Sequence, residues 1–165
     1  MEKTLIAGLG NPIMGDDGVG WVVAQKVAEF LGCYEPSIKV ESYALAGISL
    51  MEQMIGFERV ILIDSLNTGK YLQGEVVTFT LGNLEELTFG HSASAHDLSL
   101  KQALKMGRSL NADLPADENV FIVAVEARHV YDFGETLTPE IQAAVPIAIQ
   151  AVLNLVEIPE MMQMH

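Results

Sequence analysis

Cysteine is almost absent. Cys33 stands alone in 165 residues, so no disulfide can form within the chain, which suits a reducing compartment. It follows Gly32, a helix-ending glycine, and reads as packing rather than chemistry. Basic residues are scarce as well. Nine Lys and Arg against 22 Asp and Glu give a formal charge of −13, and nucleic-acid affinity comes largely from cationic side chains displacing counterions. Nucleic acid is therefore excluded as a partner, while a basic peptide or a metal ion would be attracted. No apolar run approaches the ~20 residues needed to cross a bilayer. The opening Met1-Glu2-Lys3-Thr4-Leu5 lacks the basic region and cleavage site of a secretory signal, so the expectation is a cytoplasmic protein without a membrane partner. Charged residues make up only 19% against 50% hydrophobic, which excludes intrinsic disorder and leaves enough apolar material for a sheet covered on both faces.

What is present alternates between strand and helix. Thr4 to Leu9 is a short buried strand running into a glycine-rich turn, and Val19, Val22, Val23, Val27, Phe30 and Leu31 recur with helical spacing up to Gly32. Ile38 to Ser42 predicts a second strand and Ile48 to Met54 a short helix. Arg59-Val60-Ile61-Leu62-Ile63-Asp64 is a continuous branched run, as a strand buried on both faces requires, and it stops at a carboxylate. Gly74 to Thr80 reads as an antiparallel edge strand, Ser94 to Met106 as a loop entering a helix with Leu98, Leu100 and Leu104 inward, and Val120 to Val125 as the last central strand. Thr138-Pro139-Glu140 opens a final helix with Thr as N-cap and Pro in the first turn, and Ile141, Ala144, Val145, Ala148, Val152 and Leu155 form its apolar stripe. The fold class is α/β: three layers, α/β/α, around a twisted, mainly parallel sheet of about five strands. One domain spans residues 1–158 and a frayed tail 159–165.

Chemistry concentrates at three places. Asp16-Asp17-Gly18-Val19-Gly20 sets two carboxylates at a helix start; one suffices to cap the helix, leaving the other spare. Asp64, ending a buried parallel strand, must emerge at the carboxyl edge of the sheet, where ligands of open α/β sheets bind. The bland alternative is that it caps the turn through Ser65 to Asn67. His96 lies among small residues before a helix; with two carboxylates it would make an O,N donor set suited to a divalent transition metal. His91 and His129 compete for that role, and spacing does not separate the three.

Gly8-Leu9-Gly10-Asn11-Pro12-Ile13-Met14-Gly15-Asp16-Asp17-Gly18-Val19-Gly20 resembles the opening signature of the nickel-iron hydrogenase maturation endopeptidases. Ile61-Leu62-Ile63-Asp64 is similar to their third-strand motif, His96-Asp97-Leu98-Ser99-Leu100 to their histidine loop, and Gly134 through Glu140 to the turn into their last helix. The resemblance implies an endopeptidase that removes a C-terminal extension from a hydrogenase large-subunit precursor once nickel is in place. It also implies that Asp17, Asp64 and His96 are both the catalytic and the metal-contacting residues, and that nickel arrives on the substrate rather than being held permanently. The chain departs from the family at Tyr43-Ala44-Leu45-Ala46-Gly47, where relatives often carry a turn rich in glycine and threonine.

Two other readings compete. A non-proteolytic chaperone could bind nickel or the precursor through the same residues. Peptidyl-tRNA hydrolases also begin with Gly-Leu-Gly-Asn-Pro after a first strand, but their Thr-Arg-His-Asn stretch is replaced here by Asp16-Asp17-Gly18, and the net charge opposes tRNA. No Ser-His-Asp arrangement or His-Glu-x-x-His helix is visible, so neither a serine protease nor an ordinary zinc peptidase is supported.

Overall fold

Successive side chains of a strand point to opposite faces, so an unbroken apolar strand needs cover on both. A computed structural model, which describes residues 2–32, 35–83 and 95–156, with side chains from 99 onward in the last segment, provides that cover. Cys33, His91 and the tail 159–165 lie outside the described residues, as do the side chains of His96 and Leu98.

The strands are β1 (Thr4–Leu9), β2 (Ile38–Tyr43), β3 (Arg59–Leu66), β4 (Val76–Thr80) and β5 (Val120–Glu126), in sheet order β2-β1-β3-β5-β4. All neighbours are parallel except β4, which runs antiparallel to β5 at one edge, as expected. Helices α1 (Val19–Leu31) and α4 (Pro139–Leu155) cover the face bearing Ile6, Ile61, Ile63 and Val123. Helices α2 (Gly47–Met54) and α3 (Ala95–Ser109) cover the other, bearing Leu5, Val60, Leu62 and Ile122. Leu100 and Leu104 of α3 are buried as expected. The stripe of α4 is buried from Ile141 to Val152, with Leu155 only half-buried at its end. Gly32 ends α1 at φ 52°, in the left-handed region where glycine is favoured. No described helix is long and apolar enough to cross a membrane.

Parallel connections return each chain to the same end of the sheet, so the segments leaving β1, β2, β3 and β5 gather at the carboxyl edge. One contact governs how closely they gather. A Cβ on Gly8 would collide with the carbonyl oxygen of Gly20, and one on Gly20 would collide with those of Leu9 and Ile63. The first turn of α1 therefore rests on the main chain of β1 and β3 with no side chain between them.

Helix propensity favours Ala over Gly by about 1 kcal/mol, yet Gly20→Ala is expected to destabilise the fold, because overpacking against rigid backbone costs about 1–3 kcal/mol or more. A Cβ on Gly82 meets only ordinary contacts, so Gly82→Ala is the control and should shift stability by no more than about 0.5 kcal/mol. Urea unfolding of the two variants checks the ranking.

Candidate active site

Leaving β1, the chain turns at Gly10, whose φ of 121° suits glycine and where a Cβ would strike the Asp17 carbonyl oxygen. Asn11 closes the turn: its carbonyl accepts from the Met14 N–H at 3.1 Å and its side-chain oxygen from the Ile13 N–H at 3.2 Å. A 3-10 turn, Gly15–Gly18, then feeds α1. Asp17 folds back from this turn over the sheet edge. Its Oδ2 accepts from the Asn11 N–H at 2.8 Å and its Oδ1 from the Ser65 hydroxyl at 2.7 Å.

Asp64 meets it there. The ladder between β1 and β3 stops at Gly8 and Ile63, so Asp64 is the first residue of β3 beyond its pairing with β1. It does not end the strand as expected: β3 continues to Leu66, because β5 still pairs with it from Asp64–Ala124 to Leu66–Glu126. Asp64 Oδ1 accepts from the Ser65 backbone N–H at 2.8 Å. Ser65 thus joins the carboxylates, offering its N–H to one and its hydroxyl to the other. Both aspartates are half-buried.

An ionised carboxylate offers about four acceptor sites. Asp17 accepts one hydrogen bond on each oxygen, so both oxygens keep a lone pair for a cation or a water. The donor chemistry fits a divalent ion of the nickel and zinc group.

His96 enters the first turn of α3 rather than the loop before it. A helix leading into a parallel strand starts at the carboxyl edge, and Ser99, one turn further along α3, places its Oγ 2.8 Å from where a Gly47 Cβ would stand at the start of α2. The backbone of His96 is therefore delivered to the same edge as the two aspartates. His129 reaches that edge too, in the segment after β5, with its exposed ring held by Asp132 at 2.8 Å from Nδ1. Among the described residues no three His, Cys, Asp or Glu side chains form a metal-holding group. At the end of β2, burial and then the charge of Glu41 raise the Tyr43 phenol above its usual 10.0, keeping it protonated at neutral pH.

The profile of the HycI hydrogenase maturation proteases matches residues 44–155, most of the chain. The chain belongs to the hydrogenase maturation protease family. It is a hydrolase of that class. Among solved structures it is similar to the [NiFe] hydrogenase maturation protease HybD from Thermococcus kodakarensis, at 26% identity and TM-score 0.73, over 94% of this chain and 99% of that one. The hydrogenase maturating endopeptidase HybD from E. coli shares the fold at 21% identity and TM-score 0.73, over 93% and 91% of the two chains. The HycI protease from Thermococcus kodakarensis KOD1 shares it at 16% and 0.66, over 94% and 93%. No curated protein sequence matches. The matched span of this family member begins after the Asp17 loop, so the case for Asp17 rests on that loop's own geometry.

Two carboxylates behave otherwise than the sequence suggests. Asp16 does not cap α1, which has no side-chain cap. It is fully buried and reaches the start of α4, where Oδ1 accepts from the Thr138 N–H and Oδ2 from the Thr138 hydroxyl, each at 2.7 Å. Thr138 does occupy the N-cap position, but its hydroxyl serves Asp16 instead of its own helix. Glu126, 1% exposed at the end of β5, accepts from both the N–H and the hydroxyl of Thr68. Sequence reasoning missed it, although the signal matched that of Asp64: an acid closing an apolar strand.

Replacing Glu126 leaves the half-buried N–H and hydroxyl of Thr68 without their carboxylate, so Glu126→Ala and Thr68→Ala are each expected to cost about 1 kcal/mol. Denaturant midpoints measured at constant slope decide this.

Proposed function

We propose that this maturation protease removes the C-terminal extension of a nickel-iron hydrogenase large-subunit precursor after nickel insertion, and that Asp17, Asp64 and His96 contact the metal borne by that substrate. The observation carrying the reading is the meeting of Asp17 and Asp64 at Ser65, on the edge where α3 delivers His96. The two similar proteases from Thermococcus kodakarensis are [NiFe] hydrogenase maturation proteases, which supports the substrate class. The lone cysteine supports a cytoplasmic setting, and the single sheet supports one peptidase domain over residues 1–158.

Nickel held by the substrate would polarise the scissile carbonyl or acidify an attacking water. The chain's own contribution is placement and proton transfer. Ser65 donates to both carboxylates and so holds them side by side at the sheet edge. A carboxylate there can take the proton of a water as its oxygen adds to the carbonyl carbon, and the departing amine then recovers a proton as the C–N bond breaks. The excess of acidic groups favours a cationic approach, including a metal-loaded protein segment.

The test is mass spectrometry of a large-subunit precursor incubated with the protein, with and without nickel. The nickel-loaded precursor should lose its extension and the nickel-free one should stay whole. An intact product from both would leave only binding and sink the protease reading. Asp17→Asn, Asp64→Asn and His96→Ala should each remain folded and process at least about 100-fold more slowly, the usual scale for losing an acid–base or charge-stabilising group. Ser65→Ala keeps the N–H to Asp64 and frees only Asp17, so a smaller loss, about tenfold, is expected.

A further inference from the structure

We propose that Asp16 is a positioning residue: through Thr138 it locks the turn that aims Asp17 at Ser65. The inference rests on the reading of Asp17 given above and assigns its neighbour a part in the same reaction without contact with substrate.

Asp16 is fully buried, and a buried carboxylate is costly unless its oxygens are satisfied. Thr138 satisfies both, supplying an N–H and an O–H from one residue across 122 positions of chain. The main chain beside it is tied to the same region: the Asp16 N–H donates to the His129 carbonyl at 3.0 Å and the Gly15 N–H to the Gly134 carbonyl at 2.8 Å. The Gly134 N–H donates in turn to the Ile13 carbonyl at 2.9 Å. The turn is thus held through its backbone and through one side chain. Asp16 and Asp17 are consecutive on a 3-10 turn, where adjacent side chains diverge by about 120°. One points inward to α4 and the other across to Asn11 and Ser65. Rotating the turn to relieve an unfilled Asp16 position would swing Asp17 away from Ser65.

The chemistry separates shape from charge. Asn at position 16 can accept the Thr138 N–H on its oxygen and donate its amide to the Thr138 hydroxyl oxygen, because a hydroxyl serves either role. Ala can do neither. At position 138, Ser keeps the hydroxyl, whereas Val removes it and leaves the backbone N–H bond.

The experiment is steady-state processing of a nickel-loaded large-subunit precursor by the full chain, with kcat and KM separated and folding checked by circular dichroism and thermal melting. Asp16→Ala should lower kcat by about 100-fold with KM nearly unchanged, Thr138→Val by about tenfold, and Asp16→Asn and Thr138→Ser by no more than about threefold, since small misplacements of a catalytic group cost on that scale. A purely structural Asp16 would lower melting temperature and leave the kcat of the folded variants alone. If Asp16→Ala fails to fold, Thr138→Val carries the test. A folded Asp16→Ala or Thr138→Val with the wild-type kcat, while Asp17→Asn is inactive, overturns the positioning role and spares the protease reading. Asp16→Asn as slow as Asp16→Ala overturns it as well, since charge would then matter more than hydrogen bonding. Normal processing by Asp17→Asn removes the reading of Asp17 and the positioning role with it.

Discussion

Where Gly20 crosses the ends of β1 and β3, main chain rests on main chain, and a single methyl group would collide with carbonyl oxygens on both strands. Much of the carboxyl edge follows from that contact. It sets the height of the first turn of α1 above the sheet, which leaves little room for the segment joining Leu9 to Val19. The segment takes up its slack in a left-handed Gly10, an Asn11 turn and a 3-10 turn. The outcome is a loop that doubles back over Ser65 instead of extending into solvent. A larger residue at position 8 or 20 would lift the helix, and with it the carboxylate of Asp17, off the edge of β3.

Asp16 and Asp17 are chemically identical neighbours separated by environment. Asp17 is half-buried and has acceptor capacity left on each oxygen, while Asp16 is sealed against Thr138 with both oxygens in use. The other sealed carboxylate, Glu126, repeats the arrangement on the far side of β3: an acid at the sheet edge receives the N–H and hydroxyl of a threonine from a neighbouring loop. Because each threonine offers two donors a few ångströms apart, a carboxylate can satisfy both and so tie one segment to another at the carboxyl edge. The Asp17 loop and the segment after β3 are each fastened in this way, one on either side of Ser65.

The elements were legible in the sequence wherever a local pattern decides them. The unbroken run of β3 demanded burial on both faces, Gly32 stopped α1 as a left-handed glycine should, and the alternation after Gly74 marked a half-exposed edge strand. Asp64 was legible as an emergent carboxylate for the same reason. Non-local facts were hidden. The strand order depends on which apolar faces meet, and the partner of Asp16 lies 122 positions away, so its burial could not be separated from ordinary helix capping. The length of β3 was misjudged because the strand outlasts its pairing with β1 by virtue of β5 alone. Pro146 inside α4 left no mark on the apolar stripe, since it sits on the exposed side, where water can take up the carbonyl that loses its N–H.

The segment between β5 and α4 carries Tyr131 and Phe133, 80% and 84% exposed, yet its main chain is bound to the Asp17 loop through His129 and Gly134. Two large rings in solvent on an anchored backbone are thermodynamically unlike the same rings on a free loop. Fixing a backbone residue in one conformation costs about 1–2 kcal/mol of entropy, and here folding has already met much of that cost. A surface that comes to rest on these rings would have to order little more than their own torsions, so more of the free energy of covering them would remain as affinity.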